Sequence, residues 1–223
     1  MKRIAPYAAA LIATVFLGLT CGTDPDTGDL VWKADLLRQI TACVAVGADG
    51  TIYCGTSEGR IFAVNPDSSV KWDVLDGLGF GCPPTLGAGD TAYVASTSGY
   101  LRQVKPDGSL GWFFQTGRNM GSSPAIGPNR EVVFGAGDGK VYALNPDGSL
   151  AWDYQSNGAV YSSPAIDKDG NVYFGSYDSA LHCVGPDGSP KWTYATGGFI
   201  TSSSPAIGDD GRVIIGSTDS SIH

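Results

Sequence analysis

The 223-residue chain has few basic side chains and only two histidines. Lys and Arg number 14 against 22 Asp and Glu, which gives a net charge of −8. A chain of this charge repels phosphate backbones, so nucleic acid is excluded as an expected partner. No two cysteines form a C-x-x-C pair, so the sequence supports neither a zinc site nor a thioredoxin-like redox motif. Beyond the N-terminus no segment has a helical 3.6-residue period, which excludes a helical fold.

The one long apolar run lies at the N-terminus. Lys2 and Arg3 precede about 16 apolar residues, from Ile4 to Leu19. That length is short for a membrane-spanning helix and is typical of a signal peptide. We therefore predict that residues 1–20 are a signal peptide and that the chain is exported. Without the two basic residues the net charge is about −10.

Cys21 follows this run at the predicted cleavage site. The stretch from Leu17 to Gly22 resembles the lipobox of bacterial lipoproteins, although Gly18 and Thr20 depart from its usual residues. The resemblance implies that Cys21 is lipidated within a short linker, residues 21–23, and that the acyl chains hold the protein on a membrane surface. The alternative is ordinary signal-peptidase cleavage near Gly22, which gives a periplasmic or extracellular protein.

Four further cysteines, Cys43, Cys54, Cys82 and Cys183, belong to the predicted mature chain. An exported protein lies in a compartment where disulfides form. A Cys43–Cys82 disulfide is one interpretation, because the two residues stand at neighbouring positions of successive repeats. Small buried apolar side chains are the other, and the sequence alone does not fix any pairing.

The tryptophans reveal an internal repeat. All five stand 40 residues apart, at Trp32, Trp72, Trp112, Trp152 and Trp192. Ser-Ser-Pro-Ala-Ile begins at Ser122, Ser162 and Ser203, so the last interval is 41. A constant period of this length indicates a solenoid or a propeller.

Each repeat carries four strand signals separated by Gly, Asp and Pro turns. In the third repeat they are Ser123–Ile126, Glu131–Gly135, Lys140–Leu144 and Leu150–Tyr154. Four short antiparallel strands make one blade of a β-propeller, and blades must stack to bury both faces. We predict an all-β propeller over residues 24–223, with the five tryptophans packed between blades. The expected units are 24–40 (a fourth strand), 41–80, 81–120, 121–160, 161–201 and 202–223 (a partial repeat).

The two ends of the repeat region look like parts of one blade. Residues 24–32 supply a turn and a fourth strand, and residues 203–223 supply the first strands of a blade. Two interpretations are open. Either the N-terminal strand closes a five-bladed ring, which removes exposed edges, or the chain is an open fragment of a larger propeller.

The pattern S-S-P-A-I-x-x-D-G-x-V-Y-F-G-S followed by P-D-G-S-x-x-W resembles the pyrroloquinoline-quinone-like (PQQ-like) β-propeller repeat over residues 24–223. Asp24, Thr27, Gly28 and Trp32 match its tryptophan-docking motif, with Gly22 where Ala is usual. The family includes quinoprotein dehydrogenases and the BamB-type lipoproteins, which bind no quinone. The dehydrogenases use a catalytic Asp, calcium ligands and often adjacent cysteines, whereas this chain has no Cys-Cys pair and no C-x-x-C-H haem motif.

We therefore predict no catalytic residue, no cofactor and no metal site. The Asp-rich stretches at 24–29 and 167–171 are interpreted as hairpin turns, because neither completes a calcium loop. His182 and His223 occupy equivalent repeat positions, which periodicity explains without a ligand role.

The predicted function is a non-catalytic cell-envelope scaffold that binds envelope proteins. A BamB-like lipoprotein for outer-membrane protein assembly is one alternative. A quinone- or carbohydrate-binding module is another, because the repeated Trp and Tyr side chains offer stacking surfaces.

Overall fold

The computed structural model describes residues 33–40 and 42–223. The predicted signal peptide, Cys21 and the strand expected around Trp32 lie outside the described residues. The strands are β1 (Ala45–Val46), β2 (Ile52–Gly55), β3 (Arg60–Val64), β4 (Val70–Leu75), β5 (Thr85–Leu86), β6 (Ala92–Ala95), β7 (Tyr100–Val104), β8 (Leu110–Gln115), β9 (Ala125–Ile126), β10 (Val132–Gly135), β11 (Lys140–Leu144), β12 (Leu150–Gln155), β13 (Ala165–Ile166), β14 (Val172–Ser176), β15 (Ala180–Val184), β16 (Pro190–Ala195), β17 (Ala206–Ile207) and β18 (Val213–Ile214). A short 3₁₀ turn spans Ala88–Asp90.

Four consecutive sheets of four antiparallel strands, followed by a two-stranded sheet, make up the described fold. Each four-stranded sheet is a meander in which neighbours along the chain pair. In the third sheet Val133 faces Ala125 on one side and Ala143 on the other. The expected all-β architecture of four-stranded antiparallel blades is therefore confirmed.

The second and third strands are mostly buried on both faces, which explains their largely apolar sequence; the exception is β7, where Arg102 and Gln103 are half-buried. In β10 all four residues are buried, and in β11 all but Lys140. The outer strand β12 instead alternates between exposed and half-buried residues, as expected where one face meets solvent.

The apolar core lies between neighbouring blades. Tyr53, Ile61 and Ala63 of the first blade pack against Phe80 and Val94 of the second. The same arrangement recurs between the third and fourth blades. The inner strands β1, β5, β9 and β13 contact one another in sequence. A blade therefore buries its two faces only through its neighbours.

The two ends of the described fold remain unpaired with each other. The last sheet consists of β17 and β18, with an isolated bridge between Gly216 and Ile222. At the other end Ala34 and Leu36 pack on the first blade. Within residues 33–40 and 42–223, no N-terminal strand joins the last sheet, so these residues form an open arc of blades. They contain no helix long and apolar enough to cross a membrane.

Candidate functional site

The tryptophans of the first three blades join each blade to the next. Their indole Nε1 groups donate to a proline carbonyl oxygen in the P-D-G turn of the following blade, at 2.9, 3.0 and 2.9 Å, for the pairs Trp72–Pro106, Trp112–Pro146 and Trp152–Pro186. The indoles are half-buried. They therefore lie at the outer side of each blade junction, with one edge in solvent.

Each indole packs against a glycine in the turn of the following blade. Gly148 has a φ of +86°, and a Cβ there would lie 2.6 Å from the Trp112 ring. Both the backbone conformation and the close approach favour glycine. Trp192 differs, because its side chain is 44% exposed and no such turn covers it among the described residues. Trp32 lies outside them.

The serines of the S-S-P-A-I motif hold the inner ends of the blades together. Ser162 Oγ accepts from the buried Gly175 N–H at 3.1 Å. Ser163 Oγ accepts from the Ser123 N–H of the preceding blade at 2.9 Å. The first serine therefore ties two strands within a blade, and the second ties neighbouring blades.

The recurrent aspartates are used within turns. Asp147 accepts from the N–H and the hydroxyl of Ser149, and these hydrogen bonds hold the pKa of the Asp147 carboxyl below its ordinary value of 3.8. Asp167, in the stretch interpreted from the sequence as a hairpin turn, accepts from Asn171 and Tyr173. Burial opposes ionisation of Asp167, but the hydrogen bonds from Asn171 still lower its pKa.

A second set of aspartates, which the sequence did not single out, bridges neighbouring blades. In each case one carboxylate oxygen accepts from a backbone N–H of the previous blade, in the pairs Asp138–Gly117, Asp178–Asn157 and Asp219–Gly197. In the sequence these aspartates recur at one repeat position, in the turns G-D-G, Y-D-S and T-D-S. The partner residues, about 21 positions earlier, are visible only in the fold.

Both histidines are held by these turn aspartates. His182 is buried, stacks on Phe174 at a ring distance of 5.1 Å, and has its Nε2 3.0 Å from Asp178. The Tyr154 hydroxyl lies 3.2 Å from His182 Nδ1. His223 pairs with Asp219 at 2.9 Å in the same way. Among the described residues, no group of three or more His, Cys, Asp or Glu side chains is arranged to hold a metal ion.

One stretch has the spacing of the G-x-S-x-G nucleophile motif, from Gly55 to Gly59, with Ser57 at the serine position. The prediction of no catalytic residue did not take it into account. In hydrolases this serine stands on a turn from a strand into a helix and has a histidine base. Ser57 instead lies in the hairpin between β2 and β3, and both histidines are paired elsewhere. The geometry does not support a nucleophilic role for Ser57.

An open cavity of 340 Å³ lies where the loops that enter β5, β9 and β13 converge with Thr97 of the β6–β7 turn and with Ser202, which precedes β17. We call it the axial cavity. Its lining side chains are uncharged and include those of Cys82, Thr97, Asn119, Met120, Tyr161 and Ser202. Gly121 leaves room for Tyr161, because a Cβ on Gly121 would lie 2.9 Å from the Tyr161 ring.

Three aromatic rings extend from the axial cavity to the surface. The Tyr161 and Tyr177 centroids are 5.4 Å apart with nearly perpendicular rings, and Tyr177 and Phe199 are 6.1 Å apart and stacked. Tyr177 is 37% and Phe199 54% exposed. We call Tyr161, Tyr177 and Phe199 the aromatic row. The repeat pattern does not indicate this row, because the three residues occupy three different repeat positions.

The family model described as outer membrane protein assembly factor BamB matches residues 21–100 and 97–223. The chain belongs to the BamB family. This result confirms the resemblance to PQQ-like propeller repeats that the sequence indicated. No curated protein matches the chain.

Solved structures agree with this BamB-family fold. BamB from Moraxella catarrhalis superposes with a TM-score of 0.73 at 22% identity, over 87% of this chain and 61% of that one. A structure of BBS1N in complex with ARL6DN superposes with a TM-score of 0.65 at 14% identity, over 86% of this chain and 63% of that one. The chain thus spans less than two thirds of either protein, and at these identities the likeness establishes the fold alone.

The cysteines of this BamB-family chain are free thiols among the described residues. The Cys43–Cys82 disulfide considered from the sequence is not formed. Cys54, Cys82 and Cys183 are buried, whereas Cys43 is exposed, so the interpretation as buried apolar side chains is wrong for Cys43. Burial raises the pKa of Cys54 to about 12 and that of Cys82 to about 11. Thiols with such pKa values are poor nucleophiles at neutral pH.

Proposed function

We propose that the chain is a non-catalytic, exported propeller of the BamB type that binds protein partners in the cell envelope and supports outer-membrane protein assembly. The observation that carries the proposal is the family match over residues 21–100 and 97–223. The repeat architecture also supports a protein-binding role, since propellers offer extended surfaces to partners.

The use of polar side chains in the fold also favours binding over turnover. Catalytic sites bring a nucleophile, a base and charge-stabilising donors together in a cleft. Here the recurrent Ser and Asp side chains bond to backbone groups within and between blades. The histidines pair with turn aspartates, and the axial cavity is lined by uncharged side chains. Such a surface suits a neutral partner group rather than a reacting one.

The proposal includes anchoring to a membrane surface through Cys21. Export by the signal peptide at residues 1–20 and acylation of Cys21 would place the propeller beside a membrane in the compartment where outer-membrane proteins assemble. Mass spectrometry of the N-terminal peptide tests this: an acylated Cys21 is expected, and a Cys21→Ser variant is expected in the soluble fraction. An unmodified N-terminus after Cys21 or Gly22 would leave the propeller unanchored and refute this part of the proposal.

Deletion of the gene in its host tests the assembly role. We expect lower levels of β-barrel proteins in the outer-membrane fraction, restored by the wild-type gene. Quantitative proteomics of envelope fractions measures the change, with inner-membrane proteins as the internal control. Unchanged β-barrel levels, together with no partner recovered by crosslinking in intact cells, would refute the proposed function.

A further inference from the structure

We propose that Asn157–Gly158 is a site of spontaneous deamidation, and that the products weaken the contact between the third and fourth blades. This inference does not depend on the proposed function. It is carried by the main chain of Gly158, whose N–H has no acceptor within residues 33–40 and 42–223, and by the exposed Asn157 side chain beside it.

The reaction needs only the chain and water. The Gly158 nitrogen loses its proton and forms a bond to Asn157 Cγ, the Cγ–Nδ2 bond breaks, and Nδ2 leaves with the proton as ammonia. Water then opens the resulting succinimide at either of its carbonyl carbons, which gives aspartate or isoaspartate at position 157. Glycine as the following residue favours ring closure, because it has no Cβ to hinder the approach of its nitrogen.

The Asp-Gly pairs of the fold, which form the same ring with loss of water, are protected by hydrogen bonds. In each pair the glycine N–H donates to a main-chain carbonyl at 2.9 to 3.3 Å, and the glycine has a positive φ. An N–H that donates in this way must give up its bond before its nitrogen can attack. These glycines are Gly50, Gly77, Gly108, Gly139, Gly148, Gly170, Gly188 and Gly211. Of the Asp-Gly and Asn-Gly pairs in the described residues, Asn157–Gly158 alone leaves the glycine N–H without an acceptor.

The repeat does not use the Asn157 side chain. The equivalent residue is Gly77, Gly117 and Gly197 in the other blades. In the part of the chain that the structure describes, Asn157 contributes its main-chain N–H, which donates to Asp178 at 3.0 Å, whereas its side-chain amide has no hydrogen-bond partner. No contact therefore holds the amide away from the Gly158 nitrogen.

The main chain at this site forms part of the contact between two blades. Besides the bond from Asn157 N–H to Asp178, the Gly158 carbonyl accepts from the Ser176 hydroxyl at 3.1 Å. Isoaspartate adds a methylene group to the main chain between these two bonding groups, so their spacing no longer matches the fourth blade. Aspartate instead places a carboxylate beside that of Asp178, where like charges repel.

Peptide mapping after incubation of the full chain tests the site. The folded protein is kept in a mildly alkaline buffer, its peptides are identified by mass spectrometry, and protein-isoaspartate methyltransferase detects isoaspartate. We expect deamidation at Asn157, while Asn119 and the Asp-Gly pairs stay unmodified over the same period. An intact Asn157 under conditions in which the urea-unfolded chain deamidates there would overturn the inference. Equal modification of the Asp-Gly pairs in the folded chain would overturn it too.

Asn157→Gly is the matched control, because it installs the residue of the other blades and keeps the N–H that donates to Asp178. Gly158→Ala does not serve, since a Cβ on Gly158 would lie 2.3 Å from the Asp178 nitrogen. Ion exchange separates the deamidated fraction from the intact one, and urea unfolding compares them. We expect a lower midpoint for the deamidated fraction and an unchanged midpoint for incubated Asn157→Gly. Equal midpoints of the two wild-type fractions would refute the weakened contact between the blades.

Discussion

At the residue scale, serine side chains replace backbone partners where the inner strands are too short to pair fully. The inner strand β13 has only two residues, and its pairing with β14 ends at Ala165 and Tyr173. Ser162 Oγ therefore accepts from Gly175 N–H in a fully buried setting. This structural need accounts for the recurrence of the serine in the Ser-Ser-Pro motif.

Ser162→Ala should destabilise the chain by about 1–3 kcal/mol, because it leaves a buried N–H without an acceptor. Chemical denaturation measures the loss. Ser189→Ala is the control, since Ser189 is exposed and the turn N–H still donates to Asp187; its effect should be within about 0.5 kcal/mol. Equal losses for the two variants would contradict the assigned role.

The turn aspartates predict a loss of stability in acid. Hydrogen bonds from Ser149 lower the pKa of folded Asp147 below 3.8. A carboxyl with a lowered folded pKa stabilises the fold above its unfolded pKa, and this contribution is lost as the pH falls through the folded pKa. Asp147→Asn keeps an oxygen acceptor but removes the charge. Melting temperatures of the two proteins should differ at pH 5, and the difference should shrink as the pH falls below 3.8 and through the lowered folded pKa. A constant difference would contradict the prediction.

At the element scale, the sequence correctly predicted that the strands are buried on two faces. It predicted the positions of the third and fourth strands of a repeat better than the position of the first strand. The third repeat was expected to have strands at 140–144 and 150–154, and β11 and β12 lie at Lys140–Leu144 and Leu150–Gln155. The first strand was expected at 123–126 but spans only Ala125–Ile126. Before β9 begins, the Gly135 N–H donates to the Ser122 side chain rather than to a strand carbonyl, and a propensity argument does not include such a bond.

The candidate site was harder to predict than the strands. Periodicity drew attention to residues that recur, whereas Tyr161, Tyr177 and Phe199 occur once each at their positions. Their meeting depends on how one blade is placed against the next, through bonds such as that from Tyr177 N–H to the Ala159 carbonyl. A comparison of each repeat with the others, position by position, would have identified the three residues but not their proximity.

Tyr142 and His182 occupy the same position in the third strands of two blades, and this equivalence predicts which substitution His182 tolerates. Tyr142 donates to Asp138 at 2.7 Å, at the repeat position where His182 pairs with Asp178. His182→Tyr should therefore keep both the stacking on Phe174 and a bond to Asp178, with a loss below about 1.5 kcal/mol. His182→Ala should cost about 3 kcal/mol, because it also creates a cavity. Thermal unfolding measures both, and equal losses would show that Tyr does not recover the ring stacking and the bond to Asp178 at this position.

At the scale of the whole molecule, stability is a sum of neighbour contacts along the arc. Each described blade is joined to the next by an apolar core, and the first three also by an indole on a glycine turn. In such an array a weakened junction affects the blades on both sides of it. The junction after the fourth blade lacks the indole contact among the described residues, since β16 is exposed throughout.

Trp152→Ala and Trp192→Ala therefore should not have equal effects. Trp152 is half-buried and bonded to Pro186 at 2.9 Å, so its loss should cost about 2–3 kcal/mol. Trp192 is 44% exposed and contacts the Tyr173 ring, with no indole hydrogen bond among the described residues, so its loss should cost about 1 kcal/mol. Urea unfolding of each variant measures the difference, with Trp192→Phe as a control that keeps the aromatic ring. Equal losses would contradict the difference assigned here to the two tryptophans.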